Sequence, residues 1–286
     1  MAGRVVPQDL RGFPVHMVGI KGTGMASLAE LFHRLGARVT GSDGPEKFYT
    51  DVQLANLGIS YFECFDPVNV PEDAHLCVYS TAYDPVSNPE LLRAAAAGVR
   101  ILTYPEALGE LSLRSASTGI TGVHGKTTTT ALVGTLIKAL GIPASVIAGS
   151  AVASFGDGGT IVQGDRYFVA ETCEYQRHFL DFHPSCIVLT NAELDHPDYF
   201  VSEADVLAAF VEYARRLSNG GRFIYCADDP GAAQVAERVL RERSDVRLIP
   251  YGRRAGGRFA LSDEESVPGE YRFSLAGLSA TFSLRV

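Results

Sequence analysis

Gly122, Gly125, Lys126 and Thr127, in the run GITGVHGKTTTT from Gly119 to Thr130, are residue types that together hold a polyphosphate. The glycines let backbone N–H groups turn towards phosphate, the lysine supplies a point charge, and the threonine hydroxyl can ligate a magnesium ion. The strict P-loop spacing puts its first glycine six residues before the lysine, where this chain has Ile120, so the motif is the narrower Gly-x-x-Gly-Lys-Thr. A Gly/Thr-rich turn that merely caps a helix would not also need strand, loop, Lys-Thr and helix in that order. His124, inside the loop, offers phosphate its backbone.

A second group of reactive types follows two apolar runs. VAETCEY places Glu171 and Glu174 after one, and VLTNAELDHPDYF places Asn191, Glu193, Asp195, His196 and Asp198 after the next. If both runs are strands of a parallel sheet, their ends share an edge with the phosphate loop. A carboxylate and an imidazole there could complete magnesium ions bound to nucleotide phosphates. Imidazole is an unusual magnesium ligand, so chemistry alone leaves His196 open between ligand and capping or hydrogen-bonding histidine. His178 and His183 read as surface or packing residues.

A third group sits near the N-terminus, in VHMVGIKGTGMASLAELFHRLGARVTGSD. Gly19, Gly22 and Gly24 approximate a dinucleotide fingerprint, with Lys21 where its second glycine belongs. Gly22, Thr23, Gly24 and Met25 are expected at a helix N-terminus, a favourable place for a pyrophosphate, with Asp43 ending the next strand as a candidate polar partner; a tight turn chosen only for packing is the alternative. Ser80 and Thr81 fall at the carboxyl end of a further strand, the edge where ligands of open parallel sheets collect.

The elements that must position these groups alternate strand and helix. Leu28, Leu31, Phe32 and Leu35 recur at helical spacing before a stop at Gly36, and Asn88 with Pro89 reads as an N-cap and first helical residue. Leu132, Val133, Leu136, Ile137 and Leu140 mark one face of the helix after the phosphate loop. SVIAG, YFVAE, CIVLTN and FIYCAD alternate with helical stretches, which predicts a second parallel sheet. Near the end, Tyr271, Phe273 and Leu275, then Leu278, Ala280, Phe282 and Leu284, alternate with other residues around Gly277, which predicts a hairpin. The expected fold is α/β, with two consecutive doubly wound parallel-sheet domains, residues 1–113 and 114–286, and a terminal β-hairpin. The boundary falls in the polar segment Ser112 to Ser117.

Length and composition agree. At 286 residues the chain has room for about two domains, and 46% hydrophobic with 20% charged residues is ordinary for a globular protein. No apolar run reaches transmembrane length, and MAGRVVPQDLRGFPV lacks a secretory signal, so the expectation is a cytoplasmic protein with no membrane partner. Five cysteines without Cys-x-x-Cys spacing speak against a disulfide framework and a structural zinc. A formal charge of −8 disfavours nucleic acid as a partner and favours a small anion held in a cleft.

Taken together, HMVGIKGTGMASLAELFHRLGARVTGSD, YSTAYDPVSNPEL, GVHGKTTTT, and ETCEY with TNAELDHPDYF resemble the Mur ligases across essentially the whole chain. The resemblance is to the branch that joins L-alanine to UDP-N-acetylmuramate in peptidoglycan precursor synthesis. It implies a UDP-sugar domain using Gly22, Thr23, Gly24, Met25, Asp43, Ser80 and Thr81, then a Rossmann-like to P-loop succession with a central ATPase domain. It implies ATP binding by Gly122, Val123, His124, Gly125, Lys126, Thr127 and Thr128, with Lys126 on the terminal phosphates. Magnesium would be served by Thr127, Glu171 and His196, and Asn191 and Glu193 would stand beside the phosphates. In the family pattern an aspartate usually stands where this chain has Cys173. A ligase for a recycled murein peptide is the nearest rival, a UDP-sugar-binding module without turnover the next, and an NAD-dependent dehydrogenase is disfavoured by Lys21 and the second phosphate loop. Family members continue into a third domain, so the chain as given is expected to bind the UDP-sugar and ligate poorly.

Overall fold

The computed structural model describes residues 4–156 and 158–285. In chain order the elements are β1 (Pro14–Val18), α1 (Thr23–Arg34), β2 (Arg38–Ser42), α2 (Tyr49–Asn56), β3 (Tyr61–Phe62), β4 (Leu76–Tyr79), α3 (Pro89–Ala96), β5 (Arg100–Thr103) and α4 (Tyr104–Ser112). There follow β6 (Ala116–Thr121), α5 (Lys126–Leu140), β7 (Ala144–Ile147), β8 (Thr160–Val162), β9 (Tyr167–Glu171), β10 (Cys186–Leu189), α6 (Glu203–Arg215), β11 (Arg222–Cys226), α7 (Pro230–Glu242) and β12 (Arg247–Tyr251). Three strands come last, β13 (Leu261–Val267), β14 (Glu270–Leu275) and β15 (Leu278–Arg285). No helix among the described residues is long and apolar enough to cross a membrane.

The chain divides into two compact units. One gathers residues up to Ser117 with Thr127–Glu171 and Asp181–His183; the other gathers Thr118–Lys126, Thr172–Leu180 and residues from Pro184 onwards.

In the first unit a parallel sheet has the order β3-β2-β1-β4-β5, a doubly wound pattern with β1 at its centre. Every residue of β1 is buried, as expected of a strand covered on both faces by helices. Helix α1 packs Met25, Leu28, Leu31 and Phe32 into this core and ends before Gly36, whose φ of +96° is reached cheaply only by glycine. The Asn88 side chain accepts from the N–H groups of Glu90 and Leu91, and Pro89 opens α3, as the sequence predicts. The same unit holds β7 between parallel β9 and antiparallel β8. Strand β8 is short and lies against an otherwise parallel pattern, which alternation alone could not reveal.

One expected face is corrected. Helix α5 forms where predicted, but Leu132, Leu136 and Leu140 are 45%, 60% and 70% exposed, and of the five residues marked only Ile137 is buried. The buried face is instead Thr130, Gly134 and Ile137. Gly134 explains this, because a Cβ there would stand 2.3 Å from the Phe155 ring. Close approach needs small residues, so the large leucines face away.

Side chains of β1, β2 and α3 form a buried polar cluster in the first unit. Glu90 accepts from His16 Nε2 (3.1 Å), Asn69 Nδ2 (2.7 Å), the Asp66 N–H (3.2 Å) and the Ser42 hydroxyl, while His16 Nδ1 meets Thr40 Oγ1 at 3.0 Å. Burial pushes the Glu90 carboxyl up, but the hydrogen bonds from His16, Ser42 and Asn69 outweigh it and hold the group below its ordinary value. A carboxyl depressed by folding adds stability above its unfolded pKa, and that stability is lost as pH falls through the folded value. Glu90→Gln is therefore expected to lower the melting temperature by roughly 3–6 °C at pH 7, and the gap to the parent protein should close below about pH 4. Thermal melts across this range check it; a gap that is constant with pH contradicts it.

In the second unit parallel strands run β12-β11-β10-β6. Helix α6 starts at a Ser202 cap and buries Val206, Leu207, Phe210 and Ala214. Tyr213 stacks on Phe179 with centroids 4.4 Å apart, and Gly119 admits the tyrosine hydroxyl, since a Cβ there would lie 2.1 Å from it. The terminal strands form an antiparallel sheet in the order β13-β14-β15. The expected hairpin is present, with Phe273 opposite Phe282 and their rings 5.3 Å apart. Strand β13 joins it unforeseen, because its sequence LSDEESV does not alternate and a bulge interrupts its register near Ser262. The side chains of Ala280 and Leu284 lie outside those described.

Candidate functional site

In the second unit β6 delivers the chain to the glycine loop, and α5 begins at Lys126. Gly122 has φ +134° and Gly125 φ +81°. A Cβ at Gly122 would stand 2.1 Å from Thr190 Oγ1, so this position requires glycine for space as well as for conformation. Thr190 and Asn191, just past β10, clamp the loop. The Thr190 hydroxyl donates to the His124 carbonyl (2.6 Å), Asn191 Nδ2 donates to the same carbonyl (3.1 Å), and the His124 N–H donates to Asn191 Oδ1 (2.9 Å). The His124 backbone is thus held by Asn191 in this structure.

Lys126 Nζ folds back on the loop, donating to the carbonyls of Gly122 (2.5 Å) and Val123 (3.1 Å), and meets both oxygens of Glu174 at 3.1 and 3.2 Å. The Glu174 side chain is 1% exposed and that of Lys126 14%. His196 Nε2 lies 3.6 Å from Glu174, and the His196 backbone has φ +52°, a conformation that non-glycine residues keep mainly at turns and functional sites. Tyr175 stands against His196 with ring centroids 4.8 Å apart. Its hydroxyl donates to Asp198 (2.8 Å), and that carboxylate pushes the phenol up from its ordinary value. Glu193 reaches the His124 ring at 3.5 Å, both side chains being exposed.

In the first unit Thr127 Oγ1 donates to the two oxygens of Glu171 (3.1 and 2.9 Å), which also accepts from the Gly149 N–H at 2.9 Å. Gly149 leaves room for the carboxylate, since a Cβ there would come within 2.9 Å of it. Among the described residues no three His, Cys, Asp or Glu side chains cluster as a metal cage. A hydroxyl paired with one carboxylate is instead the donor set of magnesium, which keeps most of its shell for water and phosphate oxygens. The residues therefore fit that ion.

The same unit carries the other glycine turn. Gly22 stands at the N-cap of α1, and the first intrahelical bond runs from the Ala26 N–H to the Gly22 carbonyl (2.8 Å), so Thr23, Gly24 and Met25 form the helix N-terminus as expected. Asp43 is buried and ties the turn down, accepting from the Lys21 N–H (2.7 Å), the Gly44 N–H (2.8 Å) and the Tyr83 hydroxyl (2.7 Å). Burial and the Asp43 carboxylate both push the Tyr83 phenol up. Ser80 and the Tyr83 ring pack on Gly19, where a Cβ would be 3.0 and 2.6 Å from them, while Thr81 is exposed. Lys21 is 1% exposed, with Nζ 2.5 Å from the Glu46 carbonyl, 3.8 Å from Asp51 and 5.7 Å from the ring centroids of Phe48 and Tyr61. The structure thus brings Gly22–Met25, Asp43 and Ser80 to one end of the sheet. Sequence reasoning missed Tyr83, Thr190, the burial of Lys21 and the partnership of Glu174; of these Thr190 carried a signal, a polar residue at a strand end.

Two family profiles match the chain, "Mur ligase family, catalytic domain" over residues 14–115 and "Mur ligase middle domain" over residues 120–283. The UDP-N-acetylmuramate–L-alanine ligase of Treponema pallidum is 46% identical over 277 residues, covering 97% of this chain and 58% of the relative. That of Borreliella afzelii is 39% identical, covering 92% of this chain and 57% of the relative. The structure resembles a UDP-N-acetylmuramate-alanine ligase from Thermotoga maritima with a TM-score of 0.75 at 25% identity, over 96% of this chain and 60% of that one. It has the fold of a UDP-N-acetylmuramate:L-alanyl-gamma-D-glutamyl-meso-diaminopimelate ligase from Neisseria meningitides, with a TM-score of 0.76 at 22% identity over 92% of this chain and 84% of that one. The chain spans a little under three-fifths of the length of the curated relatives named here, 58% and 57%.

Proposed function

The chain belongs to the Mur ligase family, and we propose that it carries the sugar-nucleotide and ATP sites of a ligase joining L-alanine to UDP-N-acetylmuramate. The observation that carries this reading is a Lys-Thr phosphate loop whose threonine hydroxyl already faces a carboxylate, Glu171, at 2.9 Å. We place the division between the UDP-sugar part and the ATP part at residues 113/114, supported by profile matches that end at 115 and begin at 120. The reading implies a cytoplasmic location, where both nucleotides are made.

In this mechanism a carboxylate oxygen of the sugar's lactyl group attacks the terminal phosphorus of ATP. ADP leaves and an acyl phosphate forms. The alanine amine then attacks the acyl carbon, loses a proton, and expels inorganic phosphate. The protein's part is positioning and charge neutralisation, because phosphoryl transfer depends on in-line geometry and cations more than on covalent help. The Gly22–Met25 helix end, with Asp43 and Ser80 at the same end of the sheet and the exposed Thr81 following Ser80 in the chain, takes the UDP pyrophosphate. The loop from Gly122 to Thr128 wraps the ATP phosphates, with Lys126 on the terminal phosphates. Thr127, Glu171 and His196 would hold magnesium, which would neutralise phosphate charge.

Phosphate release on mixing ATP, magnesium, UDP-N-acetylmuramate and L-alanine with the protein tests the reading; release that is indifferent to the sugar nucleotide contradicts it. Glu171→Ala and His196→Ala are each expected to raise the magnesium concentration for half-maximal ATP binding by about tenfold or more, while leaving UDP-N-acetylmuramate affinity unchanged. Calorimetric titrations at several magnesium levels check this. An unchanged magnesium dependence in His196→Ala would make that residue a structural histidine.

A further inference from the structure

We propose that Glu174 makes the phosphate loop select the magnesium-loaded nucleotide over the free polyphosphate anion; the proposal rests on the nucleotide reading of the loop. The carboxylate is 1% exposed and is bonded through both oxygens to Lys126 Nζ, at 3.1 and 3.2 Å, with His196 Nε2 at 3.6 Å. A carboxylate buried to this degree is stable as an anion only beside cations, so its charge is fixed by its neighbours rather than dissipated in water.

The consequence follows from distance. Any phosphate oxygen that Lys126 contacts from its present position lies within about 6 Å of Glu174, the sum of two hydrogen-bond lengths. At that range, and an effective dielectric of about 20, each unit of negative charge on the incoming ligand faces a penalty of roughly a hundredfold in affinity at most. Lys126 offsets one such charge and must loosen its bond to Glu174 in doing so. A free nucleoside diphosphate brings about three negative charges, and a bound divalent cation removes two of them. Glu174 therefore weakens the metal-free ligand far more than the metal-loaded one. It touches Lys126 and the imidazole, and acts on phosphate only through its field, so it is a specificity-determining residue.

The test is calorimetric titration of ADP with excess magnesium and of ADP in chelator, for the parent protein, Glu174→Gln and Glu174→Asp, with melting temperatures recorded for all three. Glu174→Gln is expected to bind metal-free ADP at least about tenfold more tightly, with less than a threefold change for the magnesium complex. Glu174→Asp keeps the charge and is expected to keep the discrimination. Equal gains for both forms of ADP in Glu174→Gln overturn the proposal, and so does loss of discrimination in Glu174→Asp. A parent protein that binds ADP in neither form overturns the nucleotide reading and the proposal with it, whereas normal ADP binding with an unaltered preference in Glu174→Gln overturns the proposal alone.

Discussion

Lys126→Ala, in a chain that includes the third domain expected from the family resemblance, is expected to lower ATP-dependent ligation by about a hundredfold or more, the scale on which a charge aimed at a transition state acts. The lysine now sits on the Gly122 and Val123 carbonyls and on Glu174, so its loss also leaves a buried carboxylate without its principal cation. That adds a destabilisation of about 1–3 kcal/mol. The two effects separate in the double variant Lys126→Ala, Glu174→Gln, where the stranded charge is gone: stability should return while ligation does not. Melting temperatures beside a phosphate-release assay read both. Recovery of activity in the double variant would mean that the lysine serves the fold and not the reaction.

Gly122→Ala is expected to remove nucleotide binding altogether. At φ +134° an L side chain is strained, and its Cβ would stand 2.1 Å from Thr190 Oγ1 and 2.9 Å from the Asn191 carbonyl oxygen. The loop must then leave the clamp formed by Thr190 and Asn191, costing about 2–4 kcal/mol and the geometry of the phosphate cradle together. Gly125→Ala makes the contrast, because nothing lies within 4 Å of a Cβ there although φ is +81°. Backbone strain alone applies at that position, about 1–2 kcal/mol, and weakened ADP binding should survive. Equal loss of ADP affinity in the two variants would contradict the clamp.

Much of this was legible because the chemistry is local in sequence. The glycine loop and the start of α5, the Gly22 helix end, and the Asn88-Pro89 start of α3 are each set by residues within one turn of one another. What escaped depended on packing between distant segments. The buried face of α5 follows Gly134, not the leucines, because Phe155 needs the space. Glu174 looks in the sequence like one more acidic residue beside Glu171, and only its burial against Lys126 gives it a separate role. Lys21, which departs from a glycine fingerprint, is buried with its ammonium 5.7 Å from the ring centroids of Phe48 and Tyr61, while its N–H donates to Asp43. Strand β13 pairs through backbone bonds that its polar, bulged sequence does not advertise.

In the proposed mechanism the sugar carboxylate is activated by phosphorylation. UDP-N-acetylmuramate labelled with oxygen-18 in both lactyl carboxylate oxygens, incubated with the protein, ATP, magnesium and L-alanine, tests it by mass spectrometry of the released phosphate. Attack of that carboxylate on the terminal phosphorus followed by amine displacement predicts one labelled oxygen in each phosphate released, with the other kept in the new amide. Unlabelled phosphate, or AMP and pyrophosphate as products, would contradict it.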